Sequence, residues 1–163
     1  MASISENPLA ANISAGIKAS AREGLEELRI EEPSPQRIIK EIDEFVFQWQ
    51  QGNRPQSDAG DMEVAPYMMG SLWGEQLVAR FGWEWVQVTF HDHRDSKATA
   101  VASPDRALAV YPFAFLIGCF KNPHVDCTIA LAYNMMEAGT IARVEPGEYF
   151  NLMDGVHRIV PRI

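Results

Sequence analysis

Apolar residues recurring at three- and four-residue intervals predict three main helices, and strict alternation after the second predicts a group of strands. The first helix is read over 35–50. There Ile38, Ile42, Phe45, Val46 and Trp49 fall on one side and Lys40, Glu41, Asp43 and Glu44 on another, behind a Ser34–Pro35 cap and first-turn pair. The second runs over about 60–81. Met68, Leu72 and Gln76 share one side of it, and Met69, Trp73, Leu77 and Phe81 share the adjacent one. A helix apolar nearly all round belongs at the centre of a fold. Gly70 and Gly74 lie one turn apart on it, which lets another backbone come close where side chains would stand, as in close packing of a helix on the sheet, and Gly82 is a left-handed stop. After Pro112, residues 113–121 read as a short helix or, alternatively, as an extension of the sheet. The third main helix is read over 123–138, opened by Asn122–Pro123, with Ile129, Ala132, Tyr133 and Met136 inward.

From Trp83 to Phe90 the alternation sets Val86, Val88 and Phe90 on one face and Trp83, Trp85, Gln87 and Thr89 on the other. Strands over 98–103 and 107–111 follow, joined by a Ser103–Pro104–Asp105–Arg106 turn. Connections this short require antiparallel pairing. Val86, Val88 and Phe90 are expected to meet the helices together with Val101, Leu108 and Val110. The opposite face would then lay tryptophans beside Ala98, Ala100 and Ala102, with Gln87, Thr89 and Tyr111 as polar handles. That face is either covered by the chain's own ends or open to a partner. The fold class is therefore α+β, an antiparallel β-meander of at least three strands packed against three main helices. Residues 1–33 read as an N-terminal arm, weakly helical over about 14–29, and a proline-containing linker. Residues 34–163 read as a single domain, with 156–160 as a further edge strand.

Charge narrows the partners. The chain of 163 residues has 22 acidic against 14 Lys and Arg residues, a net charge of −8. No basic cluster exists, so nucleic acid and anionic membrane are excluded as partners on Coulomb grounds and a basic protein is favoured. No apolar run is long enough to span a bilayer, and no secretory signal is seen, which places the protein in the cytoplasm. Cys119 and Cys127 sit among apolar neighbours without a Cys-x-x-Cys pattern and read as buried thiols, with a disulfide between them left open.

Three segments resemble a known family. Met69-Gly-Ser-Leu-Trp-Gly-Glu75, Phe81-Gly-Trp-Glu-Trp-Val86 and Ser103-Pro-Asp-Arg-Ala-Leu-Ala-Val-Tyr-Pro112 are similar to a bacterial domain family of unknown function. It has a Gly-x-x-x-Gly-Glu helix, a Gly-x-x-Trp strand start and a strand ending in proline. The likeness covers about residues 62–120, is carried by glycines and aromatics, and implies the α+β fold without an activity. In type alone, small acidic α+β chains also resemble bacterial immunity proteins.

Candidate chemistry is sparse. His91, His93 and Asp95 form the best metal candidate, since two histidines two apart on extended chain point the same way, although the polar turn over 91–97 accounts for them equally as solvated turn residues. A third anchored ligand would have to come from His124 or His157. Glu75, next to Gly74 on an apolar helix, is a candidate general acid or base if buried, or a structural partner of Arg80 or Arg106. There is no Walker loop, no Gly-x-Gly-x-x-Gly and no Gly-x-Ser-x-Gly elbow. The pattern favours a non-catalytic protein-binding role without a cofactor, most concretely a toxin-neutralising immunity protein. Its binding surface would be Trp83, Glu84, Trp85, Gln87 and Tyr111. The alternative is a small hydrolase or metal-dependent enzyme using Glu75 or the His91–His93 pair, and a homodimer is left open.

Overall fold

The computed structural model describes residues 3–160. In chain order these form β1 (Ile4–Pro8), α1 (Ala11–Leu28), α2 (Pro35–Gln50), α3 (Ala65–Phe81), β2 (Glu84–Phe90), β3 (Ser96–Ala102), β4 (Leu108–Val110), α4 (Pro112–Lys121), α5 (Ile129–Ala138) and β5 (Phe150–Asn151). One five-stranded sheet runs in the order β1-β2-β3-β4-β5. It is antiparallel through β4, and β5 joins parallel to β4. The α+β class with its meander is as expected. No helix among the described residues is long and apolar enough to cross a membrane.

Helix α3 is central because its sequence leaves no polar side to give to water. Met69, Trp73 and Leu77 are at most 2% exposed. On one flank α1 packs against it at Gly24, where a Cβ would stand 3.1 Å from the Met68 carbonyl oxygen. On the other, Gly70 receives the Phe113 ring of α4 and Gly74 receives the Trp85 indole of β2. Those two rings stack at 5.9 Å and 16°. The glycines are thus notches for two aromatic side chains, one from the sheet and one from a neighbouring helix, and not the expected seat of another backbone.

This notch inverts the expected orientation of β2, whereas Val101, Leu108 and Val110 face the helices, with the alanines opposite, as expected. Register pairs Trp85 with Val101 and Val101 with Val110, so all three point one way, into the core shared with the helices. Val86, Val88 and Phe90 point the other way, with Ala100, Ala102 and Ala109. Alternation along a strand separates two faces but does not say which is inside. The large indole lies inward because a glycine groove waits for it.

Other boundaries differ as well. The segment expected as an arm supplies β1, an edge strand on β2, and α1, a helix on α3. Helix α5 begins at Ile129, not 123. Asn122 does not cap it. Its side chain accepts from the His124 amide at 3.0 Å, and the Gln50 amide of α2 donates to the Val125 and Cys119 carbonyls at 2.6 and 3.1 Å. A loop whose carbonyls are bonded by a side chain from another helix loses the incentive to wind. Residues 156–160 form no strand, and the edge is β5 instead. Cys119 and Cys127 are free and buried.

Candidate functional site

The residues expected to form a binding face are dispersed. Trp83 is 6% exposed and belongs to the main core. Trp85 is half-buried over Gly74, and its indole nitrogen has no partner among the described residues. Gln87 is half-buried at the middle of β2, between Asn7 and Thr99. Glu84 and Tyr111 come together on the far side of the sheet, with residues that the sequence reading did not single out.

That far side is closed by its own side chains. Alanines at 100, 102 and 109 make a thin floor, and Phe90, Tyr111, Tyr149 and Ile4 lie over it. Above them Arg106, at the turn into β4, donates to both oxygens of Glu6 on β1, at 2.7 and 3.1 Å. It also reaches Glu84 at 3.3 Å and the Ser103 carbonyl at 3.0 Å. The Tyr149 hydroxyl donates to Glu6 at 2.7 Å, and the Tyr111 hydroxyl donates to the Tyr149 carbonyl at 3.2 Å. Arg106 and Tyr149 both hold left-handed backbone, at φ 60° and 49°. Each is fixed by further backbone bonds, the Tyr149 amide donating to the Arg106 carbonyl at 2.9 Å. Burial pushes the Tyr111 hydroxyl up to about 12. The cluster is a clasp joining the first strand, the β3–β4 turn and the segment before β5.

The clasp has a consequence for stability against pH. Hydrogen bonds from Arg106 hold the Glu6 carboxyl below its ordinary value against the opposing effect of partial burial, and the Tyr149 hydroxyl adds to the lowering. A carboxyl depressed in the folded state stabilises fully above its unfolded value of 4.5, and that contribution is lost as pH falls through the lower folded value. Glu6→Gln is expected to lower the unfolding free energy at neutral pH by about 1–3 kcal/mol. The difference from wild type should shrink on acidification, as read by urea unfolding at both pH values. An equal difference at both would show that charge is not what Glu6 contributes.

The metal candidate is not assembled. His91 and His93 occupy a 3-10 turn in the β2–β3 hairpin connection, as the turn reading of 91–97 has it. Both ring nitrogens of His91 are already engaged, Nδ1 with Asp95 at 2.6 Å and Nε2 with the Ser5 hydroxyl at 2.8 Å. Among the described residues no three His, Cys, Asp or Glu side chains gather where they could hold a metal ion. Glu75 is half-buried rather than buried. Its two expected partners are held elsewhere, Arg80 by Glu137 at 2.6 and 3.0 Å and Arg106 in the clasp.

A different surface gathers charge, on α2. Lys40, Glu41 and Glu44 face outward as expected, but Asp43 turns in and is 3% exposed. Its carboxylate accepts from the Ala130 amide in the first turn of α5, at 3.2 Å, and lies 3.7 Å from the Arg158 guanidinium. Arg158 in turn stands 2.7 Å from Asp126 and donates to the Cys127 carbonyl at 3.2 Å. The signal for Asp43 was in the sequence: Ile39, Ile42, Asp43 and Val46 share one helical stripe.

Two grooves of about 460 Å³ flank the outward acids. One lies between α2 and α5, with Lys40, Asp43, Asn134 and Arg158 on its walls. The other lies between α2, the end of α1 and the 53–55 segment, with Leu28, Phe45 and Pro55 as apolar surface and Glu27 and Gln48 at its sides. Glu41 and Glu44 line both. Arg54, at the second groove, packs its guanidinium 4.4 Å from the Trp49 ring.

No protein-family model matches the chain, and no curated protein or solved structure matches it significantly. The likeness noted over 62–120 therefore rests on its own motifs. Gly70, Gly74 and Trp85, which carry much of it, are here parts of one packing joint.

Proposed function

We propose that the protein is a non-catalytic binding protein whose partner presents basic side chains, and that it docks through the outward face of α2. A toxin-neutralising immunity protein is the most concrete form of this role. The observation that carries the reading is the position of Glu41 and Glu44 on the shared rim of two grooves. In the α1–α2 groove, Leu28 and Phe45 offer apolar surface to the alkyl stem of a lysine or arginine, while Glu27, Glu41 and Glu44 meet its charged end. The net charge of −8 adds long-range attraction for the same kind of partner.

The test is capture from native lysate with the wild-type chain and with Glu41→Lys/Glu44→Lys, at low and high salt. Glu41 pairs with Arg37 at 3.4 Å and Glu44 accepts from Gln48 at 2.8 Å, contacts one turn apart within α2 whose loss costs only a few tenths of a kcal/mol each, so the variant should keep its fold. A partner held through them is released by high salt and lost by charge reversal. Recovery of the same proteins by both chains would place docking elsewhere, and recovery of none would count against the role itself. Catalysis has no comparable support, because neither Glu75 nor the His91–His93 pair meets the second group that its chemistry needs.

A further inference from the structure

Around Pro8 the local sequence and the fold disagree. Asn7–Pro8 is a helix-start pair, asparagine being among the best caps and proline suiting the first helical position. Leu9, Ala10 and Ala11 follow, all strong helix formers. Local preference would therefore start α1 at Pro8, capped by Asn7. The structure starts it at Ala11, behind Ala10, which has no side-chain bond to give, and uses Asn7 and Pro8 to end β1.

What holds β1 in place is narrow. None of its five residues is buried. It pairs only with β2, and its side chains are held by Ile4 packing over the alanine floor, by Glu6 in the Arg106–Tyr149 clasp and by Ser5 on His91. We propose that β1 is a latch: with Glu6 seated on Arg106 and Tyr149, residues 8–10 are kept extended, and with Glu6 released α1 grows back to Pro8 and draws β1 off β2.

Geometry makes the two states exclusive. Winding three residues from strand rise to helix rise shortens them by about 5 Å, more than one strand residue, so the register of β1 on β2 cannot survive it. Release also bares the edge of β2, the kind of surface that takes up an extended segment. The latch stands on the sheet and is independent of the docking face on α2.

Amide exchange by NMR on the full chain tests it. In the present state the Ala11 and Asn12 amides are the first in the helix and have no carbonyl one turn back. In the extended helix they gain those of Asn7 and Pro8. Glu6→Gln is expected to speed exchange at the β1–β2 paired amides by about tenfold or more, the equilibrium weight of one charge-assisted hydrogen bond. The same variant should slow exchange at Ala11 and Asn12, while the core amides of α3, which open only with the whole chain, speed up no more than the loss of unfolding free energy requires. Adding Asn7→Ala should cancel the slowing while β1 stays open. If Glu6→Gln does not fold, Tyr149→Phe, which keeps the Arg106 contact, should give smaller changes of the same sign. Opening of β1 without slowing at Ala11 and Asn12 would mean simple fraying and overturn the latch, as would full protection of β1 in both variants.

Discussion

Asp43→Ala is expected to lower the unfolding free energy by about 3 kcal/mol, the scale of removing one member of a buried charge pair, and the melting temperature by roughly 6–12 °C. Two losses combine. The first turn of α5 loses the carboxylate that accepts from the Ala130 amide, and α2 loses its link to Arg158. Asp126 keeps part of the guanidinium's charge balanced, so the effect stays at the lower end for a buried pair. Asp126→Asn, at a side chain 38% exposed, should cost well under half as much. Thermal and urea unfolding of both variants decides the point. Equal losses would mean that Arg158 is positioned from the surface rather than from the core.

Gly74→Ala should cost about 2 kcal/mol even though alanine is the better helix former by about 1 kcal/mol. A Cβ there would overlap the Trp85 indole, which is trapped between α3 and the Phe113 ring. Gly16→Ala is the control. No atom lies within 4 Å of a Cβ at Gly16, which sits exposed in α1, so that change should stabilise by about 0.5–1 kcal/mol. Trp85→Leu in the Gly74→Ala background should recover part of the loss, and a double-mutant cycle gives the coupling. Additive effects would show that the notch does not hold the ring.

The two glycines illustrate how far a pattern reads. Their one-turn spacing on an apolar helix was enough to predict a close approach, because only a missing side chain makes room for one. Which group arrives was not legible, since Trp85 and Phe113 reach them from a strand and a helix that local spacing cannot orient. The same gap reversed β2 alone: Val86 and Trp85 both suit a buried side, and the register with Val101 and Val110, which face the helices as expected, chose between them.

The candidate site was less legible still. The expected Trp and Tyr surface assumed that aromatic residues on an alternating strand share an exposed face, whereas Trp85 and Tyr111 lie on opposite sides. Glu6 and Arg106 stand a hundred residues apart, and Asp43 and Arg158 farther, so no window of sequence joins them. Asn122–Pro123 looked as good a helix start as Ser34–Pro35, yet only the latter is used. Gln50 had already claimed the loop behind the former.

Periodicity and charge by themselves determined where the main helices and the three central strands lie, that those strands pair as a meander and that the chain is acidic. These follow from side-chain spacing and from counting, which act within a few residues or over the whole chain. Tertiary structure alone decided which sheet face is inside, where α1 and α5 begin, and which carboxylates meet arginines. Those outcomes depend on space left by one segment for another, and a glycine notch or a half-buried guanidinium has no trace in the sequence of the segment it receives.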